Sequence, residues 1–126
     1  MEENGAAAFL KTAVPNLYAP ATKREKAALI EEHVSAVQNG QASALIKYYH
    51  SMIERKDRTN LLKAISVPIL FVLGRWDEAV PMEDGLKQCH LPQLSYIEIL
   101  NESGHMGMIE EVEKSANIVN QFLSAT

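Results

Sequence analysis

A single cysteine, Cys89, stands in the 126 residues, which excludes an internal disulfide and any Cys-x-x-Cys metal or redox site. No apolar run approaches the roughly 20 residues that a membrane span requires, so no membrane partner is expected. Base is not in excess either. Lys and Arg number 12 against 16 Asp and Glu, a net charge of −4, and no basic stripe exists to follow a phosphate backbone, so nucleic acid is not an expected partner. There is no His-Glu-x-x-His segment and no other zinc pattern, and neither a metal nor another cofactor is implied. The start, Met1-Glu2-Glu3, is acidic where a secretory leader would be basic and then apolar, and with the lone cysteine it fits a reducing cytoplasm. Internal repeats and low-complexity segments are also missing.

What is present is ordinary for a globular chain: 47% hydrophobic and 22% charged residues, in a length that suits one domain or a piece of a larger one. The first half reads as helices. Residues 2–13 form a first helix, broken by Pro15 and Pro20. Thr22 offers a capping box with Glu25, opening a second helix that ends at Asn39-Gly40. Its Leu29, Ile30, His33, Val34 and Val37 share one face, where His33 reads as a packed imidazole rather than a ligand. A third helix over 41–55 gathers Leu45, Tyr49, Met52 and Ile53, and a short turn at 61–64 leads out.

At Pro68 the pattern changes. Ile69-Leu70-Phe71-Val72-Leu73 is too short for a helix and reads as a strand buried on both faces, the parallel-sheet kind. A helix over 82–89 leads through Pro92 to Ser95-Tyr96-Ile97-Glu98-Ile99-Leu100, a strand with one wetter face near a sheet edge. A closing helix over 109–123 places Val112, Ala116, Val119 and Leu123 inward. The second half is thus βαβα with two parallel strands. A strand buried on both faces needs a neighbour on each side, so the sheet is expected to be incomplete and to be finished by another chain or a second copy.

Each strand delivers a loop of chemical interest. Gly74-Arg75-Trp76-Asp77-Glu78-Ala79-Val80-Pro81 presents an acid, and Ser103-Gly104-His105-Met106 with Glu110 presents an imidazole. An aspartate in such a turn is by itself more often a turn former, and a Gly-His more often a plain loop. Together, in this order and each after a strand, Asp77 and His105 read as two members of a catalytic triad, with Glu78 and Asp84 ranked below Asp77 because they lie past the strand end. The Gly-x-Ser-x-Gly turn that would carry the serine occurs nowhere in the 126 residues.

On these residues the chain resembles the C-terminal part of an α/β-hydrolase of the lidded, esterase-like kind. The resemblance implies a helical cap over residues 1–65, then the last two strands of the core in 66–126, with the acid after the seventh strand and the histidine after the eighth. It implies a serine hydrolase acting on a small acyl compound, with His105 as base and Asp77 as its orienter, and with the nucleophile and oxyanion site supplied from elsewhere. Under a lid, Phe9, Met52, Trp76 and Met106 would line the acyl pocket, although Phe9 and Met52 equally suit packing between helices. Cys89 reads as buried filler. A different class of reading is also open: a non-catalytic module derived from a hydrolase, whose copies complete each other's sheet by dimerising through the exposed strand edge.

Overall fold

The computed structural model describes the chain from Glu3 to Thr126, with side chains from Gly5 onward, so the expected helical start at residue 2 lies outside the described residues. Helix α1 (Glu3–Ala13) is built around Ala6, Ala7 and Ala8, the strongest helix formers. A short 3-10 turn, Pro15–Leu17, follows it. Pro20 does not only interrupt helix: it opens α2 (Pro20–Glu25) at the first helical position, where a missing N–H costs nothing. α3 (Ala27–Gln38), α4 (Ala42–Ile53) and α5 (Thr59–Ala64) complete the helical half.

The single helix expected from Thr22 to Asn39 is two helices, broken at Lys26 with φ −127° and ψ 41°. Thr22 is not its cap. It is buried inside α2, and its hydroxyl donates to Glu110 Oε2 at 2.5 Å, a contact spanning 88 residues that no local pattern announces. The core of this half is Val14, Tyr18 and Ile30, packed against Leu29, Val34 and Val37 of the expected α3 face. His33 lies on that face, half-buried, 2.7 Å from the Tyr18 hydroxyl. The α4 stripe is mostly open: Met52 and Ile53 are exposed, and only Tyr49 finds an aromatic partner, Phe9 of α1.

Strand β1 (Ile69–Gly74) pairs in parallel with β2 (Ser95–Leu100), Ile69 opposite Ser95 and Gly74 opposite Leu100. α6 (Met82–Leu86) lies in the crossover, shorter than expected because turns take over before Cys89. The sheet has two strands and is incomplete. β1 is therefore only half-buried where burial on both faces was expected, and Val72 and Ile97 are exposed. The C-terminal helix is also divided, into α7 (Gly107–Glu110) and α8 (Val112–Ala125), at Glu111 with φ −126° and ψ 64°. Its inward face is not the expected one. Ile118 is buried and Phe122 stacks edge-on against Tyr96 of β2, with ring centres 5.4 Å apart, while Val112, Val119 and Leu123 are exposed. Among the described residues no helix is long and apolar enough to cross a membrane.

Candidate active site

The parallel pairing puts the C-terminal ends of both strands side by side, and the loops beyond them are stitched together by main-chain hydrogen bonds. Arg75 N donates to Leu100 O at 3.0 Å, and Trp76 N to Ser103 O at 2.9 Å. Gly74 and Gly104 permit this approach: a Cβ on Gly74 would sit 2.0 Å from Gly104 O, and one on Gly104 would sit 2.9 Å from Leu17 O and Ala19 N. Both are required for space and neither for backbone conformation, since no described glycine has a positive φ.

Asp77 uses both carboxylate oxygens. Oδ1 accepts from Ala79 N at 2.9 Å and Val80 N at 2.8 Å, an Asx turn that fixes the side chain. Oδ2 lies 2.8 Å from His105 Nδ1. An ionised carboxylate can only accept, so the shared proton sits on Nδ1, and in the neutral ring Nε2 is then the acceptor. Nε2 has no hydrogen-bond partner among the described residues. The Asp77 side chain is 11% exposed and that of His105 41%, so the acid is sheltered and the base is open. Both border a cavity of about 390 Å³ whose other walls include Val72, Val80, Leu100, Met108 and Val119.

The histidine loop is held from the other side by Glu110. This buried carboxylate accepts from Gly104 N at 2.8 Å and Met106 N at 3.2 Å on Oε1. On Oε2 it accepts from Ala19 N at 2.8 Å and from the Thr22 hydroxyl. His105 N itself donates to Leu17 O at 2.8 Å. Sequence reading registers Glu110 only as part of the histidine-loop pattern, because its partners at 19 and 22 are remote in the chain.

Of the six site residues expected from sequence, the structure brings Asp77 and His105 together. The other four lie off the cavity wall. Trp76 is half-exposed and its Nε1 donates to Asn101 O at 3.0 Å. Met106 packs against the core of the helical half. Phe9 meets Tyr49 edge-on at 5.6 Å, and Met52 is exposed on α4. No group of three or more His, Cys, Asp or Glu side chains suited to a metal gathers among the described residues.

No protein-family profile matches the chain. The human protein ABHD8 is 30% identical over 59 residues, which is 47% of this chain and 13% of that protein. The proline iminopeptidase of Heyndrickxia coagulans is 35% identical over 69 residues, 55% of this chain and 24% of the enzyme. Among solved structures, an esterase from Thermogutta terrifontis superposes with a TM-score of 0.88 at 23% identity, over 96% of this chain and 44% of the esterase. The chain thus spans less than half of that structure and at most a quarter of the curated relatives it matches. Its fold is that of the C-terminal portion of the α/β-hydrolases it superposes on.

Proposed function

We propose that this chain supplies the acid and base of a serine hydrolase acting on a small ester or related acyl compound, and that it is inactive without the half that carries the serine. Residues 1–65 would be the cap and 66–126 the end of the core. The observation that carries this reading is the Asp77 Oδ2 to His105 Nδ1 contact of 2.8 Å at the rim of an apolar cavity. Sites of open α/β sheets lie beyond the carboxyl ends of the strands, where both loops sit.

In this reading His105 Nε2 takes the serine hydroxyl proton as the oxygen attacks the acyl carbon, and returns it to the leaving alkoxide as the tetrahedral intermediate collapses. A water then attacks the acyl-enzyme, losing its proton to the same nitrogen, and that proton passes to the serine oxygen as its bond to the acyl carbon breaks and the acid leaves. Asp77 holds the ring and stabilises the imidazolium. The oxyanion site comes from the absent half. Phe9, Met52, Trp76 and Met106 remain acyl-pocket residues by proposal, to be tested once that half is in place.

Two measurements test the reading. An antibody against this chain should detect, in source cells, a natural product of about twice 126 residues, as the 44% coverage of the esterase suggests. In that protein His105→Ala should lower hydrolysis of p-nitrophenyl acetate by at least about 100-fold. A loss below tenfold would remove His105 as general base. The exposed β1 edge also suits the second reading, a self-assembling module, and a mass independent of concentration in light scattering would exclude it.

A further inference from the structure

We propose that Glu110 is a positioning residue for His105, and that through it the geometry of the base depends on the helical half of the chain. The proposal rests on the acid–histidine reading above. Three consecutive main-chain N–H groups, of Gly104, His105 and Met106, find their partners outside their own loop. The first and third donate to Glu110 Oε1, and the middle one donates to Leu17 O. None of these three N–H groups enters a strand or helix ladder; the stretch joins α7 only through the Met106 carbonyl, so its donors depend on one side-chain oxygen and one remote carbonyl.

The other oxygen of the same carboxylate is bound to the start of α2, by Ala19 N and the Thr22 hydroxyl. Four donors around a carboxylate that is 7% exposed match what an ionised, accept-only group requires in a buried place. Its negative charge is felt nearby: burial foremost, and then Glu110, push the Tyr18 phenol above its ordinary value. Lys26, at the break between α2 and α3, donates from Nζ to the main-chain oxygen of Glu110 at 3.2 Å. Residues 17–26 therefore grip the histidine loop at Leu17, Ala19, Thr22 and Lys26, and Glu110 receives three of these four contacts. A displacement of α2 would be passed to the two residues that flank His105.

An amide cannot serve in this place. Glu110→Gln turns one acceptor oxygen into a donor, which then faces either the two loop N–H groups or the two α2 donors. The smaller change Thr22→Val removes a single donor from the α2 side and leaves the loop contacts untouched.

The test is made on the natural gene product, read by NMR of the histidine rings and by turnover of p-nitrophenyl acetate at a temperature well below each variant's melting point. The Nδ1 proton shared with Asp77 is assigned by its loss in His105→Gln. In Glu110→Gln that resonance should shift or broaden while those of His50 and His90, which take no part in the contacts of Glu110, stay in place. Turnover should fall by about 10- to 100-fold with KM little changed, as expected when a reacting group is displaced by a fraction of an ångström to an ångström. Thr22→Val should move both readouts the same way by less, and it decides the matter alone if Glu110→Gln does not fold. An unmoved His105 resonance in the folded variants, with only a lower melting temperature, would overturn the proposal and leave Glu110 a purely structural acid. If His105→Ala itself leaves turnover intact, the hydrolase reading falls, and the ring resonance still judges whether Glu110 holds His105.

Discussion

Gly74→Ala should break the site by separating its two loops. The added Cβ would lie 2.0 Å from Gly104 O, and 2.9 Å from both the Gly104 carbonyl carbon and Ser103 O. Ordinary van der Waals contact begins at 3.4 Å, so the strand ends must part by about 1.4 Å. Every obstructing atom belongs to the backbone, and no side-chain rotation can relieve it. An opening of that size takes the Asp77–His105 contact from 2.8 Å to about 4 Å, outside hydrogen-bond range. Overpacking of this kind costs about 1–3 kcal/mol. Urea unfolding would measure that loss, and p-nitrophenyl acetate turnover by the natural-length protein should fall by roughly 100-fold. Gly85→Ala is the internal control. Its Cβ would meet Leu73 Cδ2 at 2.5 Å, the free end of a side chain that can turn away, and in α6 alanine is the better helix former. If Gly74→Ala is as stable as the parent within about 0.5 kcal/mol, the close approach of the two loops is not what holds the site together.

Asp77→Asn can keep the Oδ1 bonds to Ala79 and Val80 but presents an amide to His105 Nδ1, which favours the wrong tautomer. Turnover should drop by about 10³- to 10⁴-fold with the melting temperature nearly unchanged; equal losses of both would mean that Asp77 is a turn residue only. Cys89 is buried and its thiol is pushed above its ordinary value by that burial, so the reactive thiolate is scarcer than in an open chain. Labelling with a disulfide reagent at pH 8 should be slow in the folded protein and fast in denaturant; equal rates would show the thiol to be accessible. Val119→Glu places a charge on the cavity wall and on the open face of α8. It should weaken assembly with the serine-bearing half in co-purification while the isolated chain keeps its helical signal, and undiminished assembly would mean that this face is not the junction.

Much of the architecture is legible in the sequence because it rests on local signals. The apolar run at 69–73 bounded by Pro68 and Gly74, and the alternation at 95–100, mark the strands, and the loops after them mark Asp77 and His105. Thr22 shows where such reading stops. Thr22 and Glu25 have the spacing of a capping box, but the hydroxyl has a stronger acceptor in Glu110, 88 residues away, and the chain folds to satisfy the buried carboxylate. The break at Lys26 likewise coincides with a remote contact, from its Nζ to the Glu110 main-chain oxygen, whereas that at Glu111 coincides with nearer ones. Glu111 turns out of helical geometry where its own carboxylate accepts from the Ser103 hydroxyl at 2.6 Å and from Glu102 N at 3.2 Å.

The reversal on α8 has a different cause. Helical periodicity selects Val112, Ala116, Val119 and Leu123 as the inner face, and that face is the one left exposed, while Ile118 and Phe122 turn toward β2. A helix with apolar residues on two sides is made to be covered on both. Two strands cover one side. The same reasoning applies to β1, whose composition suits burial on both faces although the strand is only half-buried. These two mismatches meet in space: Val72 of β1 and Val119 of α8 border the cavity that also receives Asp77 and His105. The uncovered apolar surface and the acid–base pair are therefore one continuous region. Under the proposed function, a serine-bearing half that packs on Val72 and Val119 would by the same contact border the cavity into which His105 opens.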